Sequence, residues 1–341
     1  MLNIRRKLQV CCRVSWLVAL ASLSNVVQAD YSASPQAQVF IERMAQEHGF
    51  EREALQQLFA QAEKSQTILD AISRPAEKTK SWADYRKIFI KEARIEGGVK
   101  FWQANADALA RAEQEYGVPA EYIVAIIGVE TLYGKITGRY RVIDALSTLA
   151  FDYPPRSPFF TRELEQYLLL TREHAQDPLA HKGSYAGAMG YGQFMPSSYR
   201  HYAVDFDGDG LPDIWNNLTD AIGSVANYFT THGWQRGALV TVRARPGTSL
   251  DNNIVYNQIV DPERTVAHWR SAGLTPIVPL GDDVKALPLK LDGSLGDEYW
   301  LGLNNFYVIT RYNRSHMYAM AVHQLAEAIA RAHSEAGGER E

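Results

Sequence analysis

The stretch Pro119-Ala-Glu-Tyr-Ile-Val-Ala-Ile-Ile-Gly-Val-Glu130 decides how the centre of this chain folds. It opens on a proline, which suits the first turn of a helix, and Gly134 follows it where a helix can stop. Its apolar side chains recur at spacings that cover most of a helix surface, so the pattern predicts a buried helix. These side chains are Tyr122, Ile123, Ile126, Ile127 and Val129.

Glu130 is predicted to lie at the end of that helix, at the mouth of an apolar wall. A carboxyl group in such a place loses hydration, which penalises its charged form and raises its pKa. A carboxylic acid that stays protonated near neutral pH can act as a general acid. The alternative is a helix-terminal glutamate that points to water.

The first 29 residues have the pattern of an export signal. A basic segment precedes the apolar run 14–23, which is too short for a resident transmembrane helix, and Val27-Gln-Ala29 offers a cleavage site. The alternative is an N-terminal anchor that stays uncut. Cys11 and Cys12 precede the apolar run, which argues against a lipid anchor. We therefore expect a soluble periplasmic protein whose mature chain has no cysteine.

The charge balance argues against a nucleic-acid partner. The full chain holds 35 basic and 39 acidic residues, and loss of the four basic residues before position 30 leaves 31 against 39, a formal charge of −8. An evenly mixed, mildly acidic chain lacks the basic patch that binds nucleic acid. About 310 remaining residues exceed one typical core, so two or three packed subdomains are expected.

Hydrophobic periodicity predicts a mainly α (α+β) fold. Helical spacing runs through the first two thirds of the chain, and strand-like alternation begins after Ala238. Helices are predicted at 36–44, 52–62, 97–116, 266–272 and 316–332, strands at 239–243, 286–291, 299–302 and 306–310, and an extended connection at 70–80. The predicted division is a signal at 1–29, an N-terminal helical subdomain at 30–115, a core at 116–236, a small inserted antiparallel β subdomain at 237–304, and a return to the core at 305–335.

Four motifs together point to one known family. They are Ile127-Gly-Val-Glu-Thr131, Phe151-Asp-Tyr-Pro154, Lys182-Gly-Ser-Tyr-Ala-Gly-Ala-Met-Gly-Tyr-Gly-Gln-Phe-Met-Pro-Ser-Ser198 and Asp220-Ala-Ile-Gly-Ser-Val-Ala-Asn-Tyr228. From about Tyr85 to the C-terminal helix, the chain resembles the lytic murein transglycosylase B family, as a soluble member without a lipid anchor. The long segment at 182–198 makes the resemblance specific.

The resemblance implies a lysozyme-like core that cleaves the β-1,4 bond between N-acetylmuramic acid and N-acetylglucosamine in peptidoglycan. In that family the muramyl C6 hydroxyl, rather than water, closes on C1 and leaves a 1,6-anhydro end. Glu130 would be the single catalytic acid and base. An ordinary glycosidase needs a second carboxylate. The nearest candidates are Asp144, expected at a helix surface or cap, and Asp152, expected in a turn. Neither is marked as a nucleophile, so substrate assistance is expected.

Further site residues are implied by the resemblance alone. Ser184 would orient the N-acetyl group, Gln193 would line the cleft, and Arg156 would meet a lactate or peptide carboxylate. Pro155 stands where family members often carry another arginine. The remaining cleft positions would be Tyr85, Tyr228, Tyr312, Asn313 and Tyr318, although core packing is the alternative role of each tyrosine.

The segment Asp205-Phe-Asp-Gly-Asp-Gly-Leu-Pro-Asp213 predicts a structural calcium site. Its carboxylates stand at loop positions one, three, five and nine, with Gly210 at position six, as in an EF-hand. Position twelve is Asn216 instead of the usual glutamate, and the resemblance implies that Asp220 closes the site. The alternative is an acidic surface turn. The predicted ligands are Asp205, Asp207, Asp209, Asp213, Asp220 and the carbonyl oxygen of Leu211.

Three alternatives stay open beside the transglycosylase. A muramidase of the same fold would use the same acid with water, and a peptidoglycan-binding protein would need no Glu130. A general calcium-binding exported protein would not need the segment at 182–198. The expected partners are peptidoglycan strands and, among proteins, the enzymes of cell-wall synthesis.

Overall fold

The computed structural model describes residues 30–74 and 80–338. The predicted export signal at 1–29 lies outside the described residues, as do positions 75–79 of the predicted connection. Positions 70–73 of that connection are helical, so the prediction is wrong there. The described part is mainly helical, with a small antiparallel sheet, which confirms the predicted fold class. No helix in this part combines the length and the apolar character needed to cross a membrane.

Six helices make up the N-terminal part. The helices predicted from 36 and 52 are confirmed as α1 and α2, whereas the one predicted over 97–116 is divided at Asn105. The side-chain amide of Asn105 donates to the carbonyl of Phe101 at 2.8 Å, which satisfies a free carbonyl at the end of the first piece. The six are α1 (Pro35–His48), α2 (Arg52–Ala60), α3 (Gln66–Ser73), α4 (Trp82–Phe89), α5 (Glu92–Ala104) and α6 (Ala106–Tyr116).

The central helix α7 (Ala120–Thr131) is buried along most of its length, as its apolar spacing predicts. It packs against α5, α6 and two later helices, α11 (Leu218–Thr231) and α14 (His316–Gly338). Its apolar side chains from Ile123 to Ile127 are fully buried. Because α7 is enclosed along its sides, it has no polar face. Glu130, near its end, therefore lies where the helix reaches the edge of the core.

The prediction that Gly134 stops α7 is wrong. The helix ends at Thr131, its C-cap residue Leu132 has φ of 51°, and Tyr133 follows with φ of 60°. Positive φ costs free energy for a non-glycine residue, so tertiary contacts must hold this turn. Thr131 accepts a hydrogen bond from the Gly134 amide and donates one to the Tyr191 carbonyl, each at 3.0 Å.

The core also contains an irregular segment that begins at 182 and three further helices that pack one after another. A two-stranded ladder, β1 (Tyr140–Arg141) with β2 (Lys182–Gly183), ties the start of that segment to the residues after α7. The packed helices here are α8 (Val142–Asp152), α9 (Ser157–Glu173) and α10 (Pro196–Tyr202), with a single 3₁₀ turn at Pro154–Arg156 between α8 and α9.

The late β-rich part forms a four-stranded antiparallel sheet in the order β4-β3-β6-β5. The strands predicted near 239, 286 and 299 are confirmed as β3, β5 and β6, and the helix predicted at 266–272 is confirmed as α12. Strand β4 was not predicted. The elements are β3 (Thr241–Pro246), α12 (Val266–Ser271), β4 (Leu274–Pro276), β5 (Leu287–Gly293) and β6 (Gly296–Gly302).

The strand predicted at 306–310 is instead part of a helix, α13 (Asn304–Tyr312). Its aromatic and β-branched residues favour a strand locally, but tertiary burial overrides such propensity. Phe306 and Ile309, three residues apart, are both buried, and Asn305 holds the start of the helix. The Asn305 side chain accepts from the Gln235 amide and donates to the Gln235 carbonyl. The C-terminal helix predicted from 316 is confirmed as α14.

Gly128 on α7 tests how tightly the turn after the helix is held. A Cβ atom at Gly128 would lie 2.6 Å from the Tyr133 ring, which Gly97 and Gly98 confine on its other side. We expect Gly128→Ala to lower the free energy of unfolding by about 1–2 kcal/mol, because overpacking costs about 1–3 kcal/mol and alanine's helix propensity returns up to about 1 kcal/mol. Urea unfolding measures the difference.

Gly247→Ala is the control for this substitution. A Cβ atom there would meet nothing closer than the Gly273 carbonyl oxygen, at 3.4 Å. Its effect should stay within about 0.5 kcal/mol. Equal stabilities of the two variants would show that the Tyr133 ring is not confined.

Candidate active site

The centre of the site is a carboxyl group in contact with a buried phenol. Glu130, next to last in α7, accepts a hydrogen bond at 2.5 Å from the hydroxyl of Tyr318 to its Oε1 atom. Tyr318 lies in α14 and is 3% exposed. The two residues meet because α7 and α14 pack against each other.

Burial raises the pKa of Glu130 to about 7, as its place in the sequence predicts. The Tyr318 hydrogen bond acts in the opposite direction, because it stabilises the charged carboxylate. No charged neighbour in the described part of the chain contributes to this shift. A pKa this near neutral lets the carboxyl group both give and take a proton.

Three of the predicted tyrosines gather around this carboxyl group. Burial and the charge of Glu130 raise the pKa of both Tyr312 and Tyr318, so both phenols stay neutral. The ring of Tyr228 lies 4.7 Å from that of Tyr312, centroid to centroid. The Tyr312 hydroxyl donates to the Gly192 carbonyl and the Tyr228 hydroxyl to the Arg311 carbonyl, each at 2.6 Å. These two tyrosines thus also have the packing role that was left open.

Tyr85 extends this group of tyrosines towards α4. We call the four rings of Tyr85, Tyr228, Tyr312 and Tyr318 the aromatic wall. It is buried, and its ring lies between those of Trp82 and Phe89, at centroid distances of 6.4 and 5.2 Å. Its charged form would raise the pKa of Tyr318, so the two phenols are close enough to interact. Tyr85 therefore belongs to the tyrosine group around Glu130.

The glycine-rich segment, residues 182–198, runs directly beside the end of α7, where Thr131 donates to the Tyr191 carbonyl. Isolated bridges join Gly183 to Met189 and Met189 to Phe194, which folds the segment into a compact loop. Gly138, with φ of 111°, approaches the Gly183 backbone so closely that a Cβ atom would lie 2.0 Å from it. This approach excludes any side chain at position 138.

Two predicted ligand-binding residues lie in this loop. The Ser184 Oγ atom accepts from the amides of Ala186 and Ala188, at 3.3 and 3.0 Å, which orients its hydroxyl. The Gln193 amide nitrogen donates to the carbonyls of Thr137 and Gly190, both at 2.9 Å. With both N–H groups engaged, the Gln193 side-chain oxygen is available as an acceptor.

Within the described residues, no side-chain hydrogen bond, ion pair or ring contact joins Arg156 or Asn313 to the Glu130 group. Arg156 is exposed on the 3₁₀ turn, with its guanidinium 4.5 Å from the centre of the Phe159 ring. Asn313 is exposed in extended backbone directly after α13. Their proposed contacts with substrate stay predictions.

Neither candidate for a second carboxylate is available beside Glu130. Asp144 is buried, which corrects the expectation of a helix-surface residue. It accepts from Arg141 at 2.6 Å and from the Glu63 amide at 2.9 Å, so it ties α8 to the N-terminal part. Asp152 is the last residue of α8, which corrects the expectation of a turn, and it accepts from the Tyr31 hydroxyl at 2.6 Å. Both carboxylates therefore serve structural contacts.

The acidic loop gathers four of the five predicted carboxylates. Oxygen atoms of Asp205, Asp207, Asp209 and Asp220 all lie within 4.8 Å of one another. Asp213 is outside this group, because its carboxylate accepts from the Trp215 and Asn216 amides at 2.9 and 3.0 Å. The prediction of Asp213 as a ligand therefore finds no support in this geometry, and no described contact bears on the Leu211 carbonyl.

The donor set of this loop suits a hard cation. All four groups are carboxylates, and like charges this close repel each other unless a cation lies between them. The loop is already shaped, because one Asp205 oxygen accepts from the Gly208 and Asp209 amides at 2.8 and 3.0 Å. Asp220, fully buried at the start of α11, accepts from the Phe206 amide at 2.7 Å.

Comparison with known proteins places this geometry in one family. The transglycosylase SLT domain matches residues 32–327 of the chain. The chain belongs to that family. It is 48% identical over 320 residues to the membrane-bound lytic murein transglycosylase B of Escherichia coli strain K12, covering 90% of this chain and 86% of that protein. This similarity confirms the predicted family, the predicted enzyme class and the predicted lytic transglycosylase function.

Two solved structures are similar over nearly their whole length. Soluble lytic transglycosylase SltB1 of Pseudomonas aeruginosa, in its catenated form, has a TM-score of 0.86 and 56% identity, covering 89% of this chain and 100% of that one. The Escherichia coli lytic transglycosylase Slt35 in complex with calcium has a TM-score of 0.82 and 48% identity, covering 92% and 98%. These matches confirm the predicted lysozyme-like fold.

Sequence reasoning missed the residues that hold the site in place. Thr131 bridges the end of α7 to the glycine-rich loop, and Tyr133 donates from its hydroxyl to the Arg94 carbonyl at 2.7 Å. Ser315 accepts from the Tyr318 amide at 3.2 Å and so caps α14. A serine two residues before an apolar helical stripe is the one signal that predicts such a cap.

The raised pKa of Glu130 predicts a pH-dependent stability effect. The folded-state pKa of about 7 lies above the ordinary value of 4.5, so the stability associated with the bound proton is present below pH 4.5 and is lost as the pH rises through 7. This difference corresponds to at most about 3 kcal/mol. We expect Glu130→Gln to be more stable than the wild type at pH 8 and nearly equal to it at pH 4.5, as measured by urea unfolding.

Glu96→Gln is the control for the amide substitution. Glu96 is exposed on α5, and the variant should follow the wild type at both pH values. If the stability difference between Glu130→Gln and the wild type were the same at pH 4.5 and at pH 8, this result would contradict the desolvation of the Glu130 carboxyl.

Proposed function

We propose that this lytic transglycosylase cleaves the β-1,4 bond between N-acetylmuramic acid and N-acetylglucosamine in peptidoglycan, with Glu130 as its single acid and base. The observation that carries this proposal is the desolvated carboxyl group with a pKa of about 7, hydrogen-bonded to Tyr318. Such a group is suited to both directions of proton transfer at neutral pH. The name of the Escherichia coli relative supports murein as the substrate.

The reaction proceeds in two proton transfers. Protonated Glu130 gives its proton to the glycosidic oxygen, the bond from that oxygen to muramyl C1 breaks, and N-acetylglucosamine leaves with a new hydroxyl. The carboxylate of Glu130 then takes the proton of the muramyl C6 hydroxyl, whose oxygen bonds to C1 and closes the 1,6-anhydro ring. No water is consumed, and Glu130 ends protonated, ready for the next bond.

The positive charge that develops at C1 needs support between these steps. Asp144 and Asp152 are held in structural contacts, so a second carboxylate is not the source. The substrate's own N-acetyl oxygen can supply it, as in substrate-assisted glycosidases. Ser184, whose Oγ atom is oriented by two backbone amides, would donate its hydroxyl hydrogen to that N-acetyl group.

The aromatic and amide groups around Glu130 would hold the sugars. Tyrosine rings have flat apolar faces that can stack on sugar rings. Tyr228 and Tyr312 pack against each other, and Tyr85 and Tyr312 both interact with Tyr318. Gln193 would accept from a sugar hydroxyl or amide through its side-chain oxygen. Arg156 and Asn313, both exposed, would contact the outer parts of the strand, and Arg156 would pair with a carboxylate.

Product mass separates this mechanism from hydrolysis. We expect the mature protein to release anhydro-muropeptides from purified peptidoglycan, and Glu130→Gln to lower the rate about 10³-fold. Mass spectrometry of the digest measures both. Products heavier by one water would indicate a muramidase, and binding to peptidoglycan without any product would indicate a binding protein.

Glu121→Gln is the control in the same helix. Glu121 lies in the first turn of α7, and burial also raises its pKa. This variant should keep wild-type activity, because its carboxyl group lies at the opposite end of the helix. Equal losses in the two variants would contradict the assignment of Glu130.

We further propose that the acidic loop binds calcium and that the ion stabilises the fold. Asp205, Asp207, Asp209 and Asp220 would hold it, and the Leu211 carbonyl is a further candidate. The ion would neutralise their mutual repulsion and join the loop to α11 through Asp220. The calcium complex of the similar Escherichia coli protein supports the identity of the ion.

Calcium should raise the melting temperature of the protein. At a calcium concentration of 100 times the dissociation constant, binding adds about 2.7 kcal/mol, which corresponds to a shift of roughly 5 °C or more. Asp209→Asn should abolish the shift, whereas Asp213→Asn should retain it because Asp213 lies outside the group. Thermal melts with calcium and with a chelator measure the shift. No shift in the wild type would leave only an acidic turn.

We also infer export to the periplasm, where peptidoglycan is found in a two-membrane envelope. The basic, apolar and small-residue order of residues 1–29 supports this inference. Anchoring is a separate property, and the Escherichia coli relative is called membrane-bound.

A further inference from the structure

One cavity lies outside the Glu130 group and has no role in the mechanism above. It has a volume of about 610 Å³ and opens between the sheet, the start of α4 and the start of α14. Lys290 and Asp292 of β5 form one wall, Trp82 another, and the turn at 314–317 a third. This volume is in the range of sites that hold a small molecule or a short peptide.

The charged groups of this cavity are mostly basic. Lys80, Lys290 and Arg314 line it together with a single carboxylate, Asp292. Lys290 is paired with Asp297 at 2.8 Å. Within residues 30–74 and 80–338, neither Lys80 nor Arg314 takes part in an ion pair. On a chain with a formal net charge of −4, two unpaired cations in one cavity are a local reversal of sign.

The wall of the cavity also contains an unused hydrogen-bond donor. Trp82 is 2% exposed, and its indole N–H has no hydrogen-bond partner in the part of the chain that the structure describes. An indole nitrogen can only donate, and a buried donor without a partner costs about 1–3 kcal/mol. The group therefore favours a ligand that accepts hydrogen bonds.

The first turn of α14 adds to the same preference. Ser315, His316 and Met317 line the cavity at the N-terminal end of this 23-residue helix, where the helix dipole is positive. Burial lowers the pKa of His316, so this side chain is neutral at pH 7. The attraction for an anion thus comes from the lysine and arginine side chains and from the helix end.

The cavity adjoins the residues that cleave the glycan. Tyr318, which donates to Glu130, follows His316 by two positions, and Trp82 stacks on Tyr85 at a centroid distance of 6.4 Å. These two contacts connect walls of the cavity to the residues around Glu130, so a substituent of the strand held there is the ligand that the cavity is best placed to meet. Murein strands carry peptides on their muramyl residues, and the ionised groups of these peptides include carboxylates.

We propose that this cavity binds a carboxylate of the peptide carried by the glycan strand, through Arg314 and Lys80. The proposal rests on the proposed function, since it assigns the cavity to the same substrate. Arg314 offers the forked geometry that pairs with a carboxylate, and Lys80 offers a point charge. Recognition of the peptide would make the enzyme prefer strands that still carry it.

The experiment compares two substrates, peptide-bearing strands and strands stripped of their peptides by an amidase. The ratio of kcat/KM on the first to kcat/KM on the second should be about tenfold lower in the double variant Arg314→Gln, Lys80→Gln than in the wild type, because charge-assisted hydrogen bonds are lost. The control double variant is Lys100→Gln, Arg245→Gln, which removes the same charge from exposed positions outside the cavity. It should keep the wild-type ratio.

A third substrate, peptide-bearing strands with amidated carboxylates, separates charge from peptide bulk. On this substrate, the wild type should have the same kcat/KM, relative to stripped strands, as the double variant has on native strands. An unchanged ratio in the double variant, or equal wild-type rates on native and amidated strands, would overturn the proposal.

The preference is also measured as a ratio of binding affinities, for peptide-bearing strands over stripped strands. This ratio is measured in the Glu130→Gln background with and without the Arg314→Gln, Lys80→Gln substitutions. Glu130 does not line the cavity, so binding there is read without cleavage. If the wild type cleaves neither substrate, the proposed function fails, and the affinity ratio still decides the role of the cavity. An affinity ratio of one in the Glu130→Gln variant, or one that the Arg314 and Lys80 substitutions leave unchanged, would overturn the proposed role of the cavity.

Discussion

The contact between α7 and α14 is the constraint on which the rest of the site depends. It brings the Glu130 carboxyl group, at the end of one buried helix, against the hydroxyl of Tyr318 in the first turn of the other. Removal of water from around the carboxyl raises its pKa to about 7, while the phenol keeps the value from rising further. One packed interface thus sets both the position of the acid and its proton affinity.

Stability is lost locally to achieve this arrangement. The chain leaves α7 through two non-glycine residues with positive φ, Leu132 and Tyr133, and it keeps a carboxyl group where water is scarce. Both features cost free energy, and they occur together at the catalytic end of one helix. Surrounding contacts compensate, including the Thr131 bridge to the glycine-rich loop and the confinement of the Tyr133 ring by glycines.

Helix α11 connects the acidic loop with the aromatic wall. Asp220 in its first turn belongs to the carboxylate group of the loop, and Tyr228 two turns later packs against Tyr312. An ion bound in the loop would therefore fix the start of a helix that supports the cleft. The sheet also borders the start of α14, since its Lys290 lines the same cavity as residues 314–317.

The sequence by itself determined the elements whose signal is local. The apolar spacing of α7 predicts its burial, and with it the raised pKa of Glu130. The aspartate spacing predicts four carboxylates in the acidic loop, and three of them, Asp205, Asp207 and Asp209, lie in the observed group. Tertiary structure alone decided what depends on distant partners. Phe306 to Thr310 is helical because it packs against the core, Asp213 turns to the amides after it, and Tyr318 meets Glu130 across 188 positions of chain. Periodicity records which face of an element is apolar, but the partner of that face is set by the packing of the whole chain.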